Sequence, residues 1–263
     1  MIERWRLIVH PPSPGEWNMA VDSSLLSMAE KDETGPVLRL YGWERPTLSI
    51  GFGQNTEKDI NMDYLSRRNI PLVRRPTGGR AILHDDELTY AVILPSSGGL
   101  YGSLKEVYGF IASALREALK SLEVDIDPES AGGGVAGAPC CFSSKTRFEI
   151  TANGRKIAGS AQRRLKRSAL QHGSVILSRN AENCVSCFNW RSEDKRERAL
   201  RAMGEINSGR KQAIRPDEFG QALVKAFERM YDIEFINDEL SEHEHRLAGL
   251  ECENRRAKAM GVA

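Results

Sequence analysis

Apolar positions recur along this chain with two different periods, which predict a mixture of helices and strands. Between residues 103 and 122 they recur every three or four positions, behind a Ser103–Glu106 pair that has the form of a helix capping box. A second amphipathic helix is expected to begin at Pro216, a residue favoured in the first helical turn. A first helix is expected near the N-terminus, with Asn18 as its N-cap.

The predicted strands are separated mainly by short turns. Residues 37–41 alternate like a half-buried strand, and residues 88–94 form a strongly apolar strand. Asn153-Gly154 is a dipeptide favoured in hairpins, and strand-like segments flank it on both sides. Strands in meanders with helices interspersed predict an α+β fold with mixed or antiparallel sheets.

Composition narrows the class of protein. Charged residues make up 28% of the 263 residues and the net charge is only +1, which disfavours a nucleic-acid-binding protein. No run of about eighteen apolar residues occurs, and no apolar segment of signal-peptide length follows Met1, so neither a membrane span nor secretion is expected. Five cysteines are an odd number without a secreted framework. We therefore expect a soluble cytoplasmic protein with reduced thiols.

Twelve consecutive residues concentrate the candidate chemistry: Arg74-Arg75-Pro76-Thr77-Gly78-Gly79-Arg80-Ala81-Ile82-Leu83-His84-Asp85. They are expected to form two strands about a turn. Gly78 and Gly79 permit a ligand to approach the backbone closely, and Thr77 can donate a hydrogen bond to an anion or a carbonyl oxygen. Three arginines would surround such a ligand with positive charge: Arg74, Arg75 and Arg80. Taken alone, the glycine pair is more typical of a plain hairpin turn.

This twelve-residue string resembles the signature of the lipoate-protein ligase A / octanoyltransferase LipM family. Further matches lie at residues 154–162 and 170–174, and upstream at residues 18–22 and 41–43. The specific motifs cover roughly residues 15 to 180. The resemblance implies a biotin/lipoate protein ligase-like catalytic domain over residues 1–235, followed by a peripheral C-terminal helical tail over residues 236–263.

The resemblance also implies two catalytic residues. Cys141 directly precedes Phe142, the context in which octanoyltransferases of the family carry their catalytic cysteine. A thiol suits a thioester substrate, although most intracellular cysteines are simply small buried hydrophobes. Consecutive strand residues point to opposite faces, so only one of Cys140 and Cys141 should reach the pocket, and the place before Phe142 favours Cys141. Lys156 is expected to position the acyl carbonyl and to stabilise the oxyanion.

The remaining site residues are expected to bind substrate. His84 with Asp85 could be an orienting pair or supply a base near the thiol, and His172 is an equal candidate. The general base is left open between them. Small residues suit an acyl chain or a carrier arm passing close to the backbone, and they are Gly159, Ser160 and Ala161. Cys184 and Cys187 have zinc-like spacing without two further ligands nearby, so no metal site is expected.

The activity implied by the resemblance is octanoyl transfer. Cys141 would take octanoyl from acyl carrier protein, and a lysine of a lipoyl domain would then attack the thioester to form an amide. The acceptor would be the glycine cleavage H protein or a dehydrogenase E2 subunit. Neither ATP nor a metal ion is expected to be required. The basic turn at residues 163–167 could dock an acidic partner protein, and a monomer is expected.

Three alternatives stay open at this level. The first is an ATP-dependent lipoate-protein ligase, which would need Mg²⁺ and form an acyl-adenylate. The second is an amidotransferase that moves octanoyl between two lipoyl-domain proteins through the same thiol. The third is a non-catalytic docking module that retains the pocket. Arg80, in place of a third glycine frequent in ligases, and the presence of Cys141 favour the transferase.

Overall fold

The structure is a computed structural model, and it describes residues 2–97, 102–128, 133–134, 140, 144–145 and 149–259. The strands are β1 (Glu3–Val9), β2 (Val37–Tyr41), β3 (Thr47–Ile50), β4 (Leu72–Arg74), β5 (Ile82–His84), β6 (Glu87–Pro95), β7 (Gly133–Gly134), β8 (Ser144–Lys145), β9 (Ile150–Ala152), β10 (Arg155–Arg164), β11 (Ser168–Ile176) and β12 (Ile233–Asp238). The helices are α1 (Gly15–Glu30), α2 (Thr56–Asp59), α3 (Met62–Arg67), α4 (Leu104–Ser121), α5 (Ala181–Ser186), α6 (Glu193–Ala202), α7 (Pro216–Tyr231) and α8 (Glu242–Ala259).

A seven-stranded mixed sheet forms the centre of the molecule, in the order β12-β1-β2-β6-β11-β10-β9. β1 runs parallel to both β12 and β2, whereas every pair from β2 to β9 is antiparallel. The β9–β10 turn has Asn153 at φ 50° and Gly154 at φ 70°, which are the left-handed angles that this dipeptide accepts easily. The expected hairpin and the expected α+β class with mixed sheets are both confirmed.

Helices cover both faces of this sheet. α4 and α7 pack on one face, where Trp5, Leu115 and Phe227 belong to the same buried cluster. α1 packs on the other face with α8 against its outer side, and Ala248 of α8 is buried in the cluster that contains Leu25. The capping box at Ser103 is as predicted, because its side chain accepts from a free backbone amide of the first turn. The helix start at Pro216 is also as predicted.

The first helix begins earlier than predicted. α1 starts at Gly15, so Asn18 lies within its first turn and is not the N-cap. The Asn18 side chain is buried, and its Nδ2 donates to the carbonyl oxygen of Gly42 at 2.9 Å. Its Oδ1 accepts from Arg39 at 2.8 Å. Asn18 therefore resembles an N-cap in sequence, but its side chain binds residues that are distant in the chain.

The twelve-residue stretch does not form a hairpin. β4 and β5 lie on opposite edges of a small three-stranded sheet, with β3 between them, parallel to β4 and antiparallel to β5. The loop at residues 75–81 therefore crosses over the end of β3. The chain leaving β3 passes beneath this loop, where the Phe52 amide donates to the Thr77 carbonyl oxygen at 2.8 Å.

The C-terminal helix is tied to the rest of the chain by polar bonds as well as packing. Glu244 of α8 is buried and forms an ion pair with Arg6 of β1 at 2.6 Å. Arg255 donates to the Arg74 carbonyl oxygen and to Ser23 Oγ, both at 2.7 Å. The division between residues 235 and 236 stays a prediction. Within the part of the chain that the structure describes, every helix is too short or too polar to cross a membrane.

Candidate active site

A narrow cavity of about 30 Å³ lies between the large sheet and the small sheet. Its walls bring together six of the residues predicted from sequence: Arg75, His84, Gly159, Ser160, Ala161 and His172. It is also lined by apolar and aromatic side chains, including Met19, Trp43 and Ile82. The mixture of an apolar surface and a few polar groups is typical of a small-ligand site.

The register of the large sheet explains why these residues meet. His172 on β11 is paired with Ala91 of β6 and Ala161 of β10. Two residues further along β11, Ser174 is paired with Thr89 of β6. Alternate residues of a strand point to the same face, so the polar side chains of these strands collect at one surface. Close packing there requires Gly173, because a Cβ atom at that position would lie 2.6 Å from the Gly159 carbonyl oxygen.

His84 is held by polar contacts and by ring stacking, and the Ser174 hydroxyl also lies 3.3 Å from its Nδ1. Its Nδ1 lies 2.7 Å from Glu87 Oε1, and its Nε2 lies 2.7 Å from Ser49 Oγ. The Trp43 ring stacks on the imidazole with 3.9 Å between ring centroids. Asp85 was expected to orient His84, but its side chain is exposed. The orienting carboxylate is Glu87, so the predicted His84–Asp85 pair is wrong.

The Glu87 carboxylate has an unusually crowded environment. Its Oε1 also accepts hydrogen bonds from the hydroxyls of Thr89 and Ser174, each at 2.6 Å. Burial raises the pKa of Glu87, but the His84 ring and these hydroxyls more than offset that effect, so its pKa lies below the ordinary value. Glu87 is therefore ionised at neutral pH despite its burial.

His172 forms a second carboxylate–histidine–hydroxyl chain. Its Nδ1 lies 3.0 Å from Asp22 Oδ2, and its Nε2 lies 2.6 Å from Thr77 Oγ1. Burial is the main cause that lowers the pKa of His172, and it outweighs the attraction of Asp22. A neutral ring that donates from Nδ1 accepts at Nε2, so the Thr77 hydroxyl donates to it. That hydroxyl is directed at His172, and a role for Thr77 in ligand binding stays a prediction.

Asp22 and Arg39 form a fully buried ion pair behind His172. Arg39 Nη1 lies 2.7 Å from Asp22 Oδ1, and both side chains are 0% exposed. Tyr41 donates its hydroxyl to Asp22 Oδ2 at 2.9 Å. Burial raises the pKa of Asp22, but Arg39 and then His172 lower it below its ordinary value. This pair anchors α1 to β2 at the base of the site.

Stability should decline as the pH falls from 7.5 to 5, and His10 should be one cause. Arg39 Nε donates to His10 Nδ1 at 2.9 Å, and burial followed by the Arg39 charge lowers the pKa of His10 to about 4. Unfolded histidine binds a proton near pH 6.5, so between these values acid favours the unfolded chain. Thermal unfolding across this range should show it. In His10→Asn, whose amide oxygen can accept from Arg39, the pH slope should be shallower; an unchanged slope would contradict this assignment.

Two arginines of the twelve-residue stretch, Arg74 and Arg75, donate to backbone carbonyl oxygens of the surrounding loops. Arg75 is buried and donates to the carbonyl oxygens of Gly78 at 2.8 Å and Arg80 at 2.7 Å. Arg74 donates to three carbonyl oxygens of the segment after β3, those of Gly51, Phe52 and Gln54. These bonds fix the shape of the loop. Of the two glycines, Gly79 has the left-handed angle, with φ 88°.

Gly51→Ala should disrupt the site, whereas Gly53→Ala should not. A Cβ atom on Gly51 would lie 2.0 Å from the Gly79 carbonyl oxygen, so the loop above it must move. A Cβ atom on Gly53 would meet no atom within 4 Å. We expect Gly51→Ala to lower both the melting temperature and octanoyl binding, as measured by thermal unfolding with and without octanoate. Equal melting temperatures and equal binding in the two variants would show that the loop at residues 75–81 moves aside without cost.

The two predicted catalytic residues are placed differently. Lys156 is fully buried on β10, where its ammonium forms an ion pair with Glu149, and it is not among the described residues that line the cavity. Cys141 lies outside the described residues. Its neighbour Cys140 is fully buried, pairs through its backbone with Ala81, and belongs to the cluster below the small sheet. The roles of Cys141 and Lys156 stay predictions.

Cys184 and Cys187 are also buried in that cluster. A hydrogen bond with Cys140 is the largest cause that lowers the pKa of Cys184 to about 7, whereas burial raises the pKa of Cys187 to about 12. Among the described residues, no group of three or more histidine, cysteine or acidic side chains is arranged to hold a metal ion. Cys184 and Cys187 are part of the hydrophobic core.

This chain is similar to a known protein family and to named relatives over most of its length. The family described as the lipoyl protein ligase A/B catalytic domain matches residues 14–228. The chain belongs to this family. Octanoyltransferase LipM of Moorella thermoacetica is 37% identical over 252 residues, covering 92% of both chains. Octanoyltransferase LipM of Bacillus subtilis is 34% identical over 262 residues, covering 94% of both chains.

The fold of the family is shared by solved structures. A bi-partite lipoate protein ligase from Thermoplasma acidophilum has a TM-score of 0.79 to this chain at 20% sequence identity, covering 99% of this chain and 98% of the other. A likeness at this identity concerns the fold. The expected biotin/lipoate protein ligase-like architecture is confirmed, as is the resemblance inferred from the twelve-residue stretch and its companions.

Sequence reasoning missed several residues that shape the site. They are Asp22, Arg39, Ser49, Glu87, Thr89 and Ser174. The sequence did contain a signal for three of these positions. Arg39 lies between apolar residues of a buried strand, and Glu87 and Thr89, two residues apart, point to the same face of β6. Buried charges are rare unless paired, so such positions indicate a partner across the fold.

Proposed function

We propose that this protein is an octanoyltransferase, which moves octanoyl from acyl carrier protein through a thioester on Cys141 to a lysine of a lipoyl domain. The observation that carries this proposal is that relatives 34–37% identical over more than 90% of the chain are octanoyltransferases LipM. The proposed activity is one step of lipoate biosynthesis and protein lipoylation, and it makes the protein an acyltransferase.

The lining of the cavity suits this chemistry, and a cavity of about 30 Å³ must widen to admit an octanoyl chain. Small residues at positions 159–161 and 173 allow an acyl chain to lie against the backbone, and Met19 and Ile82 supply apolar contacts. In the first step the Cys141 thiolate attacks the octanoyl thioester, and the carrier thiolate leaves. In the second step the lysine amine attacks the acyl-enzyme, and Cys141 leaves and takes one of the amine's protons as a thiol. Lys156 would supply a cation for the oxyanion of each tetrahedral intermediate.

The proposal implies two protein partners and no small cofactor. The acyl donor would be acyl carrier protein, and the acceptor would be the glycine cleavage H protein or a dehydrogenase E2 subunit. Thioester exchange and aminolysis need no ATP and no metal ion, because the thioester already activates the acyl group. Since both substrates are proteins, a monomer would leave the cavity mouth open to each.

An ATP-dependent lipoate-protein ligase is the competing function, and the observation that favours it is that the family matching residues 14–228 is described as the lipoyl protein ligase A/B catalytic domain. The shared fold suits both reactions, so the distinction depends on the requirement for ATP. A ligase would modify a lipoyl domain from free lipoate only with ATP and Mg²⁺.

Intact-protein mass spectrometry tests the proposal. The purified protein is mixed with octanoyl-acyl carrier protein without ATP. We expect an octanoyl adduct that hydroxylamine removes, that maps to Cys141, and that disappears when an apo lipoyl domain is added. No adduct, together with ATP-dependent modification by free lipoate, would overturn the transferase and establish the ligase.

A further inference from the structure

We propose that Ser49, His84 and Glu87 carry a proton out of the acyl cavity, and that they act in the amide-forming half-reaction. The proton leaves through a second, smaller cavity on the far side of Glu87. This inference rests on the proposed octanoyltransferase function and adds a proton path to it.

Proton accounting shows why a path is needed. Thioester exchange between the carrier and Cys141 is proton-neutral, because one thiol is consumed and one is formed. Amide formation is not neutral, because a lysine with an ordinary pKa of about 10.4 arrives as an ammonium ion. That ammonium loses two protons in becoming an amide. One proton ends on the departing cysteine thiol, and the other must reach solvent.

The first part of the path is a chain of short hydrogen bonds. Ser49 and His84 both line the acyl cavity, and the Ser49 hydroxyl donates to His84 Nε2 across 2.7 Å. His84 Nδ1 in turn donates to Glu87 Oε1 across 2.7 Å. When Ser49 takes a proton from the attacking amine and passes its own to His84, the imidazolium that forms is stabilised by the Glu87 carboxylate. Up to this point the arrangement is that of a serine–histidine–acid triad, in which the acid orients the imidazole and stabilises the imidazolium. The proposed transfer from His84 to Glu87 goes one step beyond it.

The second part begins at the other oxygen of Glu87. Three donors occupy Oε1, whereas Oε2 is buried and accepts no hydrogen bond from any described group. Glu87 also lines a separate cavity of about 10 Å³, close to the smallest volume that holds one water molecule. Its other walls include Ser178, Asn180 and Arg179. Because the pKa of Glu87 lies below its ordinary value, the carboxyl is protonated only transiently, and a half-turn in that state exchanges its two oxygens and delivers the proton to this side.

The charges around Glu87 suit a passage to the surface. Asp85 and Asp86 line the second cavity and are themselves exposed, so in this proposal they pass the proton from the cavity to solvent. Arg179 and Cys184 face the cavity from the segment that follows β11, and His84 faces Glu87 from β5. Burial and then the neighbouring Asp86 and Glu87 raise the pKa of Asp85 above its ordinary value, which suits a group that takes up a proton and releases it.

The other histidine lacks such an exit. His172 Nε2 is bound to Thr77, which is fully buried. Its carboxylate partner Asp22 uses Oδ2 for His172 and Tyr41, and Oδ1 for the buried Arg39. A permanent positive charge in contact with Asp22 opposes its protonation. The His172 chain therefore ends at an ion pair, whereas the His84 chain ends at an open oxygen beside a polar cavity.

Single-turnover deacylation of Glu87→Gln tests the path. Wild-type enzyme and variant are first loaded with octanoyl from octanoyl-acyl carrier protein, and each is then mixed with an apo lipoyl domain or with hydroxylamine. Hydroxylamine is uncharged at neutral pH, so its reaction with the thioester releases no net proton. We expect Glu87→Gln to slow transfer to the lysine at least about 10²-fold, while deacylation by hydroxylamine changes little. The lysine defect should shrink as the pH rises towards 10.

Controls separate this role from a structural one. Glu30→Gln alters another carboxylate that accepts from a serine hydroxyl, at 2.7 Å, away from the cavity, and should leave both reactions unchanged. Ser49→Ala should reproduce the selective defect, and it decides the matter if Glu87→Gln does not fold. Equal slowing with both nucleophiles, or no slowing with the lysine, would overturn the proton path. Failure of the wild-type enzyme to form any acyl-enzyme would instead overturn the proposed transferase, and the path with it.

Discussion

Cys141→Ser should reduce transfer from octanoyl-acyl carrier protein at least about 10³-fold, because a hydroxyl in place of the thiol removes the nucleophile that exchanges with thioesters. The rate is measured as octanoyl-lipoyl-domain formation, followed by mass spectrometry without ATP. The loss should extend to the acyl-enzyme itself, which should no longer form. Full activity in this variant would contradict the thiol mechanism and favour the ligase.

Cys140→Ser is the matched control for that variant, because the two thiols are adjacent in sequence. Cys140 is fully buried and hydrogen-bonded with Cys184, so its replacement should act on stability. We expect a lower melting temperature with the acyl-enzyme still formed. Loss of the adduct in a folded Cys140→Ser protein, with retention in Cys141→Ser, would reverse the assignment of the nucleophile.

Asp22→Ala should lower the free energy of unfolding by about 3–5 kcal/mol, because it leaves a fully buried arginine without its counter-ion. Arg39 would keep three bonds, to His10 and to the backbone and side-chain oxygens of Asn18, but its charge would be unbalanced. Denaturant unfolding measures the change. A loss below about 1 kcal/mol would show that water or a rearranged side chain compensates the charge.

Two comparisons sharpen that experiment. Glu197→Ala breaks an ion pair with Arg201 at 3.1 Å whose partners are 67% and 53% exposed, and it should leave stability nearly unchanged. The double variant Asp22→Leu/Arg39→Met removes both charges, and it should be more stable than Asp22→Leu alone. Additive losses in the double variant would indicate that the two side chains act independently.

Local patterns predicted the elements of the fold well, and they predicted the partners within the site poorly. The α4 capping box and the Asn153-Gly154 turn are determined by residues a few positions apart, so sequence alone suffices for them. The partner of His84 is also only three residues away, but strand periodicity does not predict it. His84 ends a strand of the small sheet and Glu87 begins a strand of the large sheet, so their contact depends on the turn by which the chain passes from one sheet to the other.

The same limit explains the errors at Asn18 and in the twelve-residue stretch. Asn18 has the chemistry of an N-cap, but its bonds go to Gly42 and Arg39, which are distant in sequence. Gly78 and Gly79 have the chemistry of a tight turn, but β3 separates the strands on either side of them. Tertiary context overrides local preference at these positions, as is common at functional sites.

The crossing of residues 75–81 over β3 has a consequence for how the family can vary. The loop must span two strand spacings, about 10 Å, while the chain leaving β3 passes beneath it at Gly51. A shorter or a longer loop would move its carbonyl groups out of reach of Arg75, which binds those of Gly78 and Arg80. Insertions and deletions among relatives should therefore fall outside residues 75–81, even where individual residues of this loop differ.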